Sequence, residues 1–111
     1  MGKIRIDAKQ KEDILTTLQS VKEHPSLHVQ PVTAEVLSTY FWGTRRGALF
    51  ISNSIDFHDI VESFRQARRD LGWEDTARSP YYEMREKGLD EGEIVNNLVD
   101  IEIEFWKILW E

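Results

Sequence analysis

Apolar and polar residues alternate along this chain with two different periods, and the longest coherent pattern lies at its end. From Ile94, residues Ile94, Leu98, Ile101, Phe105 and Ile108 recur at spacings of four and three, which places them on one line of a helix. Val99, Ile103, Trp106 and Trp110 form a second line, with Val95 and Leu109 between the two and Glu102 as the one charged interruption. At roughly 100° per residue the apolar arc covers about 220°, well beyond the stripe of a surface helix. Asp90 followed by Glu93 reads as a capping box at its start. Two readings of so wide an arc stand side by side. Either the helix lies deep in its own domain, or the Val99/Ile103/Trp106/Trp110 line stays open to a partner or a second copy.

Further helices follow from the same rule. Ile14, Leu15, Leu18 and Val21 share a face of a helix starting near Lys9, which His24-Pro25 stops. Thr33 caps a short helix through Ala34, Leu37, Tyr40 and Phe41, closed by Gly43. Asp56 caps a helix carrying Phe57, Ile60, Val61, Phe64, Ala67 and Leu71, closed by Gly72. Residues 73–87 read as a loop with one helical turn near Ser79-Pro80.

Three short runs have strand character. Ile4 and Ile6 alternate with charge in KIRIDA, Leu27 to Gln30 alternates before Pro31, and Ala48-Leu49-Phe50-Ile51 forms a compact apolar run before the turn-like Ser52-Asn53-Ser54. The expected architecture is a single α+β domain over residues 1–111. In it a small, at least partly antiparallel three-stranded sheet is covered by helices, with a long C-terminal helix across it.

Charge sharpens the picture. The chain of 111 residues carries a net charge of −6, and all of it arises after Ser79, where nine acids meet Arg85, Lys87 and Lys107. Such asymmetry points away from direct nucleic-acid binding and toward a basic partner protein. Without cysteine there are no disulfides, thiolate metal sites or cysteine nucleophiles. No apolar leader follows MGKIRIDAKQKED and no run reaches membrane-spanning length, so a cytoplasmic protein is expected.

Candidate chemistry is sparse. His58 and Glu62 are an i,i+4 pair on a helix, but a surface helix with a capped first turn explains them equally. GTRRG lacks the length and lysine of a phosphate-binding loop, and no catalytic motif occurs. The reading is therefore of a non-enzyme without metal or cofactor. Arg45, Arg46, Arg65, Arg68 and Arg69 form an anion-binding patch if the 44–47 turn folds near the end of the 56–71 helix.

One segment has a further likeness. Ile51-Ser52, Ser54, Ile60-Val61-Glu62, Phe64, Ala67 and Gly72-Trp73 resemble the strand-to-helix segment of small phage-encoded anti-CRISPR inhibitors of the Cas9 nuclease. The likeness spans Ile51 to Trp73. It implies an acidic inhibitor whose Asp90, Glu91, Glu93, Asp100 and Glu104 stand in for phosphates against a basic groove. Trp106 and Trp110, on the second apolar line, are further candidate partner contacts. The expected partner is then a nuclease or other nucleic-acid-handling protein. The alternatives are a homodimer formed through the second apolar line and a small anionic-ligand-binding module built on the arginines.

Overall fold

The computed structural model describes residues 6–51 and 56–110. It holds five α-helices: α1 (Ala8–Glu23), α2 (Ala34–Ile51), α3 (Phe57–Asp70), α4 (Pro80–Glu86) and α5 (Glu91–Trp110). A single 3-10 turn, Pro25–Leu27, follows α1. No strand occurs among the described residues, so the expected α+β fold with its three-stranded sheet is corrected to an all-helical domain.

The three runs with strand character each fail for a local reason. In KIRIDA, Asp7 caps α1. Its carboxylate accepts from the Gln10 N–H at 2.8 Å and the Gln10 side chain accepts from the Asp7 N–H at 2.9 Å. Helix therefore begins at Ala8, and residues 3–5 of the expected strand lie outside the described residues. At residues 27–30 the backbone is turned, with both His28 and Val29 donating to the Pro25 carbonyl. Of the alternating pair only Val29 is buried, while Leu27 is exposed.

The third correction matters most. Gly43 does not end α2, which continues through Gly47 to Ile51 and absorbs the ALFI run. A helix tolerates the two glycines at a cost of ~1 kcal/mol each, because packing rather than propensity holds it. Its buried line is Ala34, Leu37, Phe41 and Arg45, at spacings of three, four and four. The expected Ser52-Asn53-Ser54 turn lies outside the described residues.

The helix ends follow their sequence signals. Asp56 and Asp59 form a reciprocal capping box on α3. Gly72 and Gly88, at φ of 89° and 84°, close α3 and α4 in the left-handed conformation. In each, the glycine N–H and the next residue's N–H bond back into the last turn: Gly72 to Arg69 and Trp73 to Arg68, Gly88 to Arg85 and Leu89 to Met84. Asp90 and Glu93 close the expected capping box at the start of α5, at 2.8 and 3.2 Å.

Helix α5 is the centre of the molecule. Each of the other four α-helices packs against it, and the chain itself covers most of both apolar lines, with Ile103 and Ile108 partly buried. Ile94, Leu98, Ile101 and Phe105 are buried, and so are Val99, Trp106, Leu109 and Trp110. Glu102 is buried with them. Among the described residues, no helix is long and apolar enough to cross a membrane.

Candidate functional site

Between α2, α3, the 71–79 loop and α4 lies a cleft of about 670 Å³, floored by Leu98 and Glu102 of α5. Its apolar walls are Phe41, Trp42, Ile60, Val61, Phe64 and Tyr81. Four arginines line it, Arg45, Arg65, Arg68 and Arg78, against three carboxylates, Glu35, Asp75 and Glu102.

Arg45 and Glu102 meet at the floor. The Arg45 Nε donates to Glu102 Oε2 at 3.1 Å, with both side chains almost wholly buried. The guanidinium carbon stands 4.2 Å from the centre of the Phe64 ring and 5.7 Å from that of Phe105, close enough for cation–π attraction. Stacking and the single Nε contact fix the plane of the guanidinium, and among the described residues its terminal nitrogens make no hydrogen bond. Burial pushes the Glu102 carboxyl above its ordinary range, and the Arg45 guanidinium together with a side-chain hydrogen bond from Trp106 pulls it part of the way back. Its second oxygen, Oε1, is buried.

Arg68 approaches the same phenyl ring, its guanidinium carbon 6.0 Å from the ring centre. Only 3 % exposed, it clamps the loop by donating from Nη1 to the Thr76 carbonyl at 3.0 Å and the Arg78 carbonyl at 2.9 Å. Its Nε is buried and unpartnered. Burial lowers its pKa, against the more distant charges of Glu83, Asp75 and Glu74. The cleft thus holds a buried cation bonded to carbonyls, with no carboxylate in hydrogen-bond contact among the described residues.

The remaining arginines are more exposed. Arg65 stands 3.6 Å from Glu62 and 3.5 Å from Asp75. Arg78 pairs with Glu86 at 2.7 Å and covers the Tyr82 ring. Of the five arginines expected to form an anion site, Arg45, Arg65 and Arg68 line the cleft. Arg46 instead lies over the outer face of Trp42, and Arg69 bonds Asp75 and Gln66. The Arg69 hydrogen bond is the main reason the Asp75 carboxyl is held below its usual range.

The acids expected to form a phosphate-like face lie along α5 and at its start. Asp90 and Glu93 cap α5. Glu91 accepts from the Ala34 N–H at 2.7 Å, serving the start of α2, and lies 3.4 Å from Arg85. Asp100 pairs with Lys22 of α1 at 2.8 Å, and Glu104 is half-buried. Trp106 and Trp110, each 8 % exposed, belong to the core.

Sequence reasoning missed Glu102, Phe64 and the cleft itself, and the missing signal was present. Arg45 continues the buried line of α2, and Glu102 interrupts that of α5. Two opposite charges on two apolar stripes are a pairing signal. Among the described residues no group of three His, Asp or Glu side chains is placed to hold a metal ion. Comparison with protein-family models, with characterised proteins and with solved structures finds no match to this chain, so the functional argument rests on the geometry of this cleft.

Proposed function

We propose that this protein is a binding module for a small organic anion, held in the cleft between α2, α3 and α4. The observation that carries this reading is Arg68. A guanidinium so deeply buried normally faces a carboxylate, yet this one is held by two carbonyls, keeps a buried Nε without a partner, and belongs to a residue that lines the cleft. Arg45 adds a second guanidinium, fixed in plane by Phe64, and Arg65 and Arg78 stand at the rim. A bound anion gains attraction strengthened by low local dielectric, and the planar fork of arginine suits carboxylate or phosphate. The cleft volume is within the ~300–1,000 Å³ of small-molecule sites. The acidic-inhibitor reading draws less support, because Asp90, Glu91, Glu93 and Asp100 all have work within the domain.

The test is thermal unfolding with inorganic phosphate, benzoate, N-benzoylglycine and inosine monophosphate, in wild type and in an Arg65→Gln/Arg78→Gln double variant. Ligand at ~100 times its dissociation constant stabilises by ~2.7 kcal/mol. Expected is a rise of several degrees with at least one organic anion, diminished in the double variant. No shift with any of the four anions, or equal shifts in both proteins, would sink the proposal.

A further inference from the structure

The walls of the cleft narrow its ligand as much as its cations do. Trp42 of α2, Phe64 of α3 and Tyr81 of α4 line it from three different helices, and none of the three rings is fully buried. Each is braced by a neighbour. The Arg46 guanidinium carbon lies 5.5 Å from the centre of the Trp42 ring, and Phe57 meets that ring edge-on at 5.9 Å. Tyr81 stacks on Tyr82 with ring centres 4.6 Å apart, and Phe64 meets Phe105 edge-on at 6.2 Å. Rings already held in place need little further ordering when a ligand binds. They suit a flat aromatic body, whose stacking adds to the gain from buried area alone.

The charges of the cleft favour a ligand with one negative charge over one with two. Arg65 is the open donor. Its side chain is 45 % exposed, and it stands 3.6 Å from Glu62 and 3.5 Å from Asp75, farther than a charge-assisted hydrogen bond reaches. Arg78, by contrast, is engaged by Glu86 at 2.7 Å. A carboxylate can take the Arg65 fork with two parallel hydrogen bonds. A second negative charge would meet Glu35 and Asp75, which also line the cleft. Hydrogen bonds from Arg85 and Arg69 hold those two carboxyls below their usual range, so both stay ionised at neutral pH and repel it.

Resting on the anion reading above, we infer that the ligand is an aromatic monocarboxylate, its flat ring system among Trp42, Phe64 and Tyr81 and its single carboxylate on Arg65. A saturated acid of the same size lacks the stacking, and an aryl phosphate brings the second charge.

Three probes of similar size separate these cases by calorimetric titration: 2-naphthoate, decahydro-2-naphthoate and 2-naphthyl phosphate. The titrations are run at mildly alkaline pH, where the phosphate is doubly charged. Stacking on fixed rings corresponds to about two- to tenfold in affinity, so 2-naphthoate should bind tighter than its saturated counterpart by that factor, and tighter than the phosphate. Trp42→Leu, at a ring 36 % exposed, should narrow the preference for the aromatic acid and leave decahydro-2-naphthoate little changed; a merely structural role would weaken both alike. Equal or tighter binding of either comparison compound, with binding still weakened by Arg65→Gln/Arg78→Gln, overturns this inference and leaves the anion reading in place. An aromatic preference that survives Trp42→Leu unchanged overturns it as well. If none of the three binds, this inference falls, and the anion reading falls with it only if the four anions named above also fail.

Discussion

The buried Arg45–Glu102 pair is the residue-level feature on which both stability and binding turn. Taking the two charges out of water is expensive, and the 3.1 Å contact with the stacked rings offsets that cost only while both partners are present. Arg45→Met should therefore destabilise by ~3–5 kcal/mol, because it strands the Glu102 carboxylate in the core. Replacing both, as Arg45→Met with Glu102→Leu, should recover most of that loss. Urea unfolding midpoints of the two single variants and the double variant measure it. Strictly additive losses would mean that the two residues act independently, contrary to the geometry. The same pair shows where sequence reading stops. Glu102 is visible as an interruption of its apolar line, whereas Arg45 joins the line of α2 only because that helix runs past Gly43, where the sequence predicts its end.

At the scale of elements, caps and stripes were legible and continuity through glycine was not. The N-cap at Asp56, the capping box at Asp90, the stop before Pro25, the glycine end at 72 and the two lines of α5 all follow from sequence. Short apolar runs such as ALFI carry no period of their own, so a glycine on either side decides how they are read. In α2 that decision went against the true structure, since neither glycine has positive φ and both are ordinary helical residues. A substitution distinguishes the two architectures. A Cβ at Gly43 or Gly47 would meet nothing within 4 Å, so Gly43→Ala and Gly47→Ala should each stabilise by ~0.5–1 kcal/mol through higher helix propensity. Thermal unfolding of each variant reads the change. Were Gly43 a left-handed helix end, alanine would instead destabilise the protein.

At the scale of the molecule, α5 gathers the other helices, and an ionic knot at its start ties α2 and α4 to it. Arg85 of α4 makes a two-pronged contact with Glu35 of α2 at 2.9 and 2.8 Å, and it lies 3.4 Å from Glu91 of α5. Glu91 in turn accepts from the first N–H of α2. The Arg85 hydrogen bonds hold the Glu35 carboxyl down, from 4.5 to about 2, while raising the pKa of Arg85. The sign follows from linkage. A carboxyl with a depressed folded-state pKa binds its proton more readily when unfolded, so its contribution is complete above pH 4.5 and is lost as pH falls toward about 2. Because the pair is solvent-exposed, salt should weaken it. Carbon-detected NMR titration of the Glu35 carboxyl should find it still ionised well below the ordinary glutamate range. In Arg85→Gln the midpoint should return toward 4.5, and the acid limb of the stability curve should become shallower between those two pH values. An ordinary midpoint for Glu35 in the wild-type protein would remove the knot and, with it, the brace that joins α2 and α4.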